Sequence, residues 1–207
     1  MTAHAQTVES TRPGPLRVWP GVLVVLMQWL TWLTLPIVPP AFESFAVVGG
    51  PLGALAIVVW WVFFSRAPWP ERIGAVLLMI VGIAVTPYLL HESIRTGNMG
   101  VQFFVYAPWV LSLAFVAWAA ATRGLSEGPR RAAMVATILV ACGGWALLRS
   151  DGLSGSGVPE LTWRWAESAE ERLLAATGEV PTALPAAPEA ARADAVWPGF
   201  RGPNRDG

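Results

Sequence analysis

Three side chains in an apolar stretch near the N-terminus are the first candidates for chemistry: Gln28, Thr31 and Trp32. Residues three and four positions apart share a helix face, so an amide, a hydroxyl and an indole would line one surface. Such a surface suits a quinone head group, with an amide donor beside an aromatic ring. The alternative is structural, because a glutamine in a membrane helix can bond a neighbouring helix and contribute roughly 0.6–2 kcal/mol. The pattern favours the structural role.

Other reactive residue types are sparse. His91 and Glu92 form an isolated pair, which is more typical of a solvated helix end than of a metal or proton site. Cys142 is the single cysteine and lies in an apolar run, so an internal disulfide is excluded. The formal net charge of +0 gives no indication of a nucleic-acid partner. No catalytic or metal-binding pattern is present in the sequence.

The composition is that of a membrane protein. Hydrophobic residues make up 54% of the 207 residues and charged residues 14%, against about a quarter charged in soluble domains. A helix needs about 20 apolar residues to cross a bilayer core of about 30 Å. Five stretches without Asp, Glu, Lys, Arg or His approach this length and predict five transmembrane helices. Their approximate bounds are 19–40, 45–64, 73–90, 101–121 and 132–148.

The positions of the arginines predict the orientation. Seven of them precede the first span or lie between spans two and three or four and five: Arg12, Arg17, Arg66, Arg72, Arg123, Arg130 and Arg131. On the alternate side, Arg95 lies between spans three and four and Arg149 directly follows span five. Because cytoplasmic loops carry an excess of basic residues, residues 1–18 are expected to form a cytoplasmic tail. The chain after Leu148 is then expected in the periplasm, with the spans in a bacterial inner membrane.

Tryptophans near the predicted span ends match the aromatic belts of membrane proteins. Trp19, Trp60, Trp61 and Trp69 would lie at the cytoplasmic interface, and Tyr88, Trp109 and Trp145 near the outer one. On this interpretation their rings face the lipid head groups.

Residues 149–196 are expected to form an exported linker. The stretch "SDGLSGSGVPE" is typical of a flexible Gly/Ser segment, and "EVPTALPAAPEAARADAV" of a semi-rigid spacer. Between them, Ser168 and Glu171 form a capping box that predicts a short helix over about 169–177. Trp163 and Trp165 fit either one face of a strand or a contact with the membrane surface.

The end of the sequence, "WPGFRGPNRDG", resembles the phrase that opens the first blade of PQQ-binding-like β-propeller proteins, Trp-Pro-x-Phe-Arg-Gly-Pro-x-Arg-x-Gly. The match is carried by Trp197, Pro198, Phe200, Arg201, Gly202, Pro203, Asn204, Arg205, Asp206 and Gly207. The upstream "TWRWAESAEERLLA" is also similar to the segment that precedes this phrase in membrane-tethered members. The five spans are similar in topology to membrane-bound quinoprotein glucose dehydrogenases.

The fold class expected is an all-α membrane protein: a five-helix transmembrane bundle, an extended exported linker, and at 197–207 the start of a truncated β-propeller. The resemblance implies an anchor for a periplasmic quinoprotein dehydrogenase that passes electrons to the quinone pool. PQQ and calcium would bind in the propeller, and ubiquinone would be the acceptor. The alternative is an anchor for a non-enzymatic propeller that binds envelope proteins or components. The partners expected are the lipid bilayer, the chain's own propeller and ubiquinone.

Overall fold

The computed structural model describes residues 16–34, 43–154 and 158–177. The chain divides into two units, residues 1–166 and 167–207. In order, the elements are α1 (Trp19–Thr34), α2 (Glu43–Val59), α3 (Trp69–Val85), α4 (Glu92–Thr96), α5 (Gln102–Ala121), α6 (Glu127–Gly143), β1 (Leu148–Leu153), β2 (Pro159–Trp163) and α7 (Ala169–Thr177). A π-helical turn, Trp60–Phe64, extends α2, and short 3-10 turns follow α3, α4 and α6.

Several predictions concern residues outside this description. They are the tail up to residue 15, the end of the first span after Thr34, the spacer from residue 178, and the propeller-entry phrase from Trp197 to Gly207.

Three helical segments are long and apolar enough to cross a membrane: Trp69–Tyr88, Gln102–Ala121 and Glu127–Leu147. The helices Trp19–Thr34 and Val48–Phe64 are apolar but shorter. Of the five predicted spans, the structure therefore supports the third, fourth and fifth as full-length. The fifth span was predicted over 132–148. It has 21 residues because its helix begins at Glu127, before the apolar run.

Helix α5 forms the centre of the bundle. It packs against α1, α2 and α6, while α3 packs against α6. Twelve of its twenty residues are buried, which is why its hydrophobic residues do not follow a single stripe. Close approach of α2 depends on small residues, since a Cβ atom on Gly50 would overlap Trp109 of α5.

Four of the seven aromatic residues assigned to interfacial belts are interior residues, so that prediction is wrong for Trp60, Trp61, Trp109 and Trp145, whereas Trp19, Trp69 and Tyr88 are exposed. Trp60 and Trp61 are 3% and 1% exposed, and Trp109 and Trp145 are each 4% exposed. Trp61 packs edge-on against Phe115, with ring centroids 4.9 Å apart. The Trp60 indole N–H donates to the Arg17 carbonyl at 3.0 Å. For Trp60, interior partners for both the ring and the N–H outweigh an interfacial position.

A buried ion cluster joins α3 to α6. Glu71, whose side chain is 1% exposed, accepts two hydrogen bonds from Arg130 Nη2 at 2.8 and 2.9 Å. Arg131 Nε donates to the same carboxylate at 3.1 Å, and its Nη2 reaches Glu127 at 2.8 Å. Both helices thus begin before the apolar stretches predicted from residues 73 and 132. Pro70 in the first turn of α3 favours that earlier start.

The strands Leu148–Leu153 and Pro159–Trp163 pair as an antiparallel hairpin, where a flexible linker was predicted from residue 149. Leu148 lies opposite Trp163 and Arg149 opposite Thr162, with an irregularity between Ser150 and Gly152. Side chains cross-link the strands: Arg149 Nε meets Asp151 at 3.1 Å and donates to Thr162 Oγ1 at 3.1 Å.

The second unit contains α7 among its described residues. The Ser168 N–H donates to Glu171 Oε2 at 2.7 Å, and the Glu171 N–H donates to Ser168 Oγ at 3.0 Å. These reciprocal bonds are the capping box expected from the sequence, and the helix covers the expected residues, Ala169–Thr177.

We expect Glu71→Ala to lower the free energy of unfolding by about 3–5 kcal/mol, because it leaves the Arg130 guanidinium buried without its counter-ion. Glu127→Ala is the matched control. It removes an exposed partner of Arg131 and should cost less than about 1 kcal/mol. Denaturation of the purified protein in mixed micelles, followed by circular dichroism, measures both. Equal losses would contradict a stabilising role for the buried cluster.

Candidate functional site

The first candidate residue, Gln28, is 5% exposed and lies between α1 and α2. Its Nε2 donates to the Gly50 carbonyl at 3.1 Å. The side chain lies against Gly53, which has no side chain of its own. A Cβ atom at Gly53 would come within 2.5 Å of Gln28 Cδ. Among the described residues Gln28 Oε1 has no hydrogen-bond partner. The amide donor is thus engaged in holding two helices together, as the structural alternative requires.

The other two candidates diverge. Thr31 is exposed and its hydroxyl donates to the Met27 carbonyl one turn back, at 2.8 Å. Trp32 turns inward and meets Tyr106 edge-on, with ring centroids 5.7 Å apart, and Trp109 at 5.2 Å. The structure therefore does not place the amide, hydroxyl and indole together on one surface. The amide and the hydroxyl already donate to backbone carbonyls.

Trp32 instead belongs to a small cavity, here named the aromatic pocket, of about 170 Å³. Its walls come from α1, α5, the turn after α6 and the hairpin. They are Trp29, Trp32, Tyr106, Trp109, Val110, Trp145, Val158, Pro159 and Leu161. The rings meet edge to face, as in the Trp29–Trp109 pair at 6.3 Å and 84°, an arrangement favoured by aromatic quadrupoles.

The hairpin is held over this end of the bundle by α4. Ser93 Oγ accepts a hydrogen bond from the Ser150 N–H of β1 at 2.9 Å and lies 2.9 Å from His91 Nδ1. His91 also caps α4, its Nδ1 accepting from the Ser93 N–H. The pair noted in sequence therefore divides: His91 positions Ser93, whereas Glu92 makes an exposed 4.0 Å contact with Arg95.

The aromatic pocket is lined by side chains suited to recognising an aromatic or apolar group. Its described lining has no carboxylate, histidine or cysteine, and the described part of the chain contains no cluster of three metal-ligating side chains. Its volume is below the roughly 300–1,000 Å³ of sites for drug-sized ligands, so it suits one ring or a short apolar group. Trp29 adds a buried indole N–H that has no hydrogen-bond partner among the described residues.

Sequence reasoning identified Trp32 but missed Trp29, Tyr106 and the hairpin residues Pro159 and Leu161. They come from three segments more than 50 residues apart along the chain, and no local pattern links them. The Trp29–Trp32 spacing was the available signal, because it places two indoles on one face of α1.

No protein-family model, curated protein or solved structure matches the chain. The resemblance to PQQ-like propeller proteins stays a prediction based on the phrase at 197–207 and on topology.

The structural role of Gln28 predicts a specific coupling with Gly53. Gly53→Ala should destabilise the bundle by about 1–3 kcal/mol through overpacking, and most of that cost should vanish in a Gln28→Ala background. Unfolding free energies of the two single variants and the double variant in micelles measure the coupling.

Gly50→Ala is the matched control. Its added methyl would overlap Trp109 and approach the Val105 carbonyl, so removing the Gln28 side chain should not relieve its cost. Additive losses for Gly53→Ala and Gln28→Ala would show that Gln28 does not occupy the Gly53 surface.

Proposed function

We propose that the chain is a membrane anchor with five crossings that tethers an exported PQQ-like β-propeller. The observation that carries the anchoring role is the outward face of the helices. Large apolar side chains more than half exposed follow one another along α1, α3 and α6: Leu23, Leu26, Leu30, Leu33, Ile73, Leu77, Ile80, Leu139 and Val140. Soluble monomers rarely expose apolar patches of this extent.

The separation of charge between the two ends of the bundle also supports this proposal. Arg17, Arg66, Arg72, Arg123, Arg130 and Arg131 lie at helix ends on one side. The opposite side has Arg95, Arg149 and Arg164 among the described residues. This imbalance favours insertion with the arginine-rich end in the cytoplasm and the hairpin in the periplasm of an inner membrane.

Contacts at both ends support crossing by α1 and α2 as well. At the arginine-rich end the Arg17 N–H donates to the Ser65 carbonyl at 3.2 Å. At the other end Trp32 of α1 packs on Tyr106 near the start of α5. Helix α1 thus accompanies a helix long enough to span the bilayer, and the π turn carries α2 to Phe64.

The propeller part of the proposal rests on the resemblance of residues 197–207. The aromatic pocket supports the quinoprotein version, because an aromatic cavity at the hairpin end suits a ubiquinone ring near an exported electron donor. PQQ and calcium would bind in the propeller and not in the described residues. The scaffold version requires no cofactor at all.

The topology predicts opposite results for two reporter fusions. Alkaline phosphatase fused after Ala166 should be active, and the same reporter fused after Arg123 should be inactive. Green fluorescent protein at the same two positions is the control and should give the reverse pattern. A phosphatase fusion that is active after Arg123 and inactive after Ala166 would contradict the orientation.

The dehydrogenase version is tested with the full-length protein in membranes supplied with PQQ and calcium. Dye reduction with a panel of alcohols and sugars should depend on both additions, and Trp32→Ala should reduce transfer to ubiquinone more than transfer to the dye. Absence of PQQ-dependent reduction across the panel would favour the scaffold version.

A further inference from the structure

A groove between the start of α1 and the second half of α2 faces outward from the bundle. We name it the α1–α2 groove. It has a volume of about 650 Å³, and its walls include Trp19, Leu52, Leu55 and Phe64. These four side chains are 54–62% exposed, so the walls have no covering among the described residues.

The length of the groove matches one leaflet of a bilayer. Leu52 and Phe64 mark its two ends along α2, and twelve residues of helix rise by roughly 18 Å. Half of a hydrocarbon core of about 30 Å is roughly 15 Å. A single acyl chain entering from the surface would therefore follow the whole groove.

Arg17 lines the groove at its arginine-rich end. Its backbone is fixed on both sides, because its N–H donates to the Ser65 carbonyl and its own carbonyl accepts from Trp60 Nε1. The neighbouring side chains of Leu16 and Val18 are buried, at 8% and 7% exposure. Arg17 itself is exposed, so its side chain lies outward between these two buried neighbours.

The Arg17 guanidinium makes no hydrogen bond or ion pair with any described residue, in contrast to Arg130 and Arg72. A guanidinium presents its donors in a planar fork that matches phosphate oxygens. An apolar groove one leaflet long that ends at a guanidinium with no partner among the described residues is complementary to a negatively charged lipid.

We propose that the α1–α2 groove binds one anionic phospholipid, with its phosphate on Arg17 and one acyl chain along α2. The proposal requires that the bundle lies in a bilayer, as the anchoring function states, but it is independent of the propeller and its cofactors.

Native mass spectrometry of the full chain in mixed micelles tests the site with dioleoyl phosphatidylglycerol and dioleoyl phosphatidylcholine as probes. Phosphatidylglycerol should be retained in preference, with one molecule per chain. Arg17→Gln should weaken its retention roughly fivefold. Ala56→Phe, which fills the groove without changing charge, should weaken retention of both lipids.

Arg123→Gln is the matched control: it removes an exposed arginine at the same end that does not line the groove, and it should leave retention unchanged. Circular dichroism and monodisperse elution establish that each variant is folded. Equal retention of both lipids, or equal effects of the two arginine variants, would overturn the proposal. Crosslinking of Leu55→Cys to a second chain would assign the groove to a dimer contact. Lipid binding that appears only after deletion of residues 1–14 would assign it to the N-terminal segment.

Discussion

When the outer faces of helices are apolar, their polar groups must find hydrogen-bond partners within the protein. This constraint explains most of the specific contacts in the bundle. The Gln28 amide reaches the Gly50 carbonyl, and Arg72 donates from Nη1 to the Val62 carbonyl at 2.7 Å, where the π turn would otherwise leave it unpaired. The Glu71 carboxylate meets two guanidinium groups. Each of these bonds links two elements or closes a helix end, so satisfying polar groups also fixes the packing.

The same constraint shows which parts of the fold the sequence could predict. Long apolar runs identified α3, α5 and α6 because burial in lipid or protein requires continuous apolar surface. Their starting points were misplaced because Glu71 and Arg130 look like loop residues when their pairing across 59 positions is unknown. The hairpin was missed for a related reason. Its strands are stabilised by Arg149, Asp151 and Thr162 together, whereas the intervening glycines and serines indicate flexibility when considered alone.

The candidate site was predictable in part. Trp32 was singled out as one of three residues on a shared face of α1, but its surroundings come from α5, the turn after α6 and β2, which only the tertiary arrangement brings together. Gln28 was assigned two alternative roles, and the hydrogen bond to Gly50 fits the structural one. The belt interpretation was wrong for Trp60, Trp61, Trp109 and Trp145. Tryptophan is common at the ends of membrane spans, but its position in the sequence does not show whether the ring faces lipid or a neighbouring helix.

The separation of Glu71 from its partners along the chain has a consequence for biogenesis. A ribosome makes proteins from the N-terminus, so α3 emerges 59 residues before Arg130 exists to receive its carboxylate. During that interval the Glu71 carboxylate has neither of its guanidinium partners, and α3 has no α6 surface to pack against. Packing of α6 then pairs the opposite charges in a single step. The order of synthesis therefore sets an order of assembly, in which α3 is fixed only after α6 has been made.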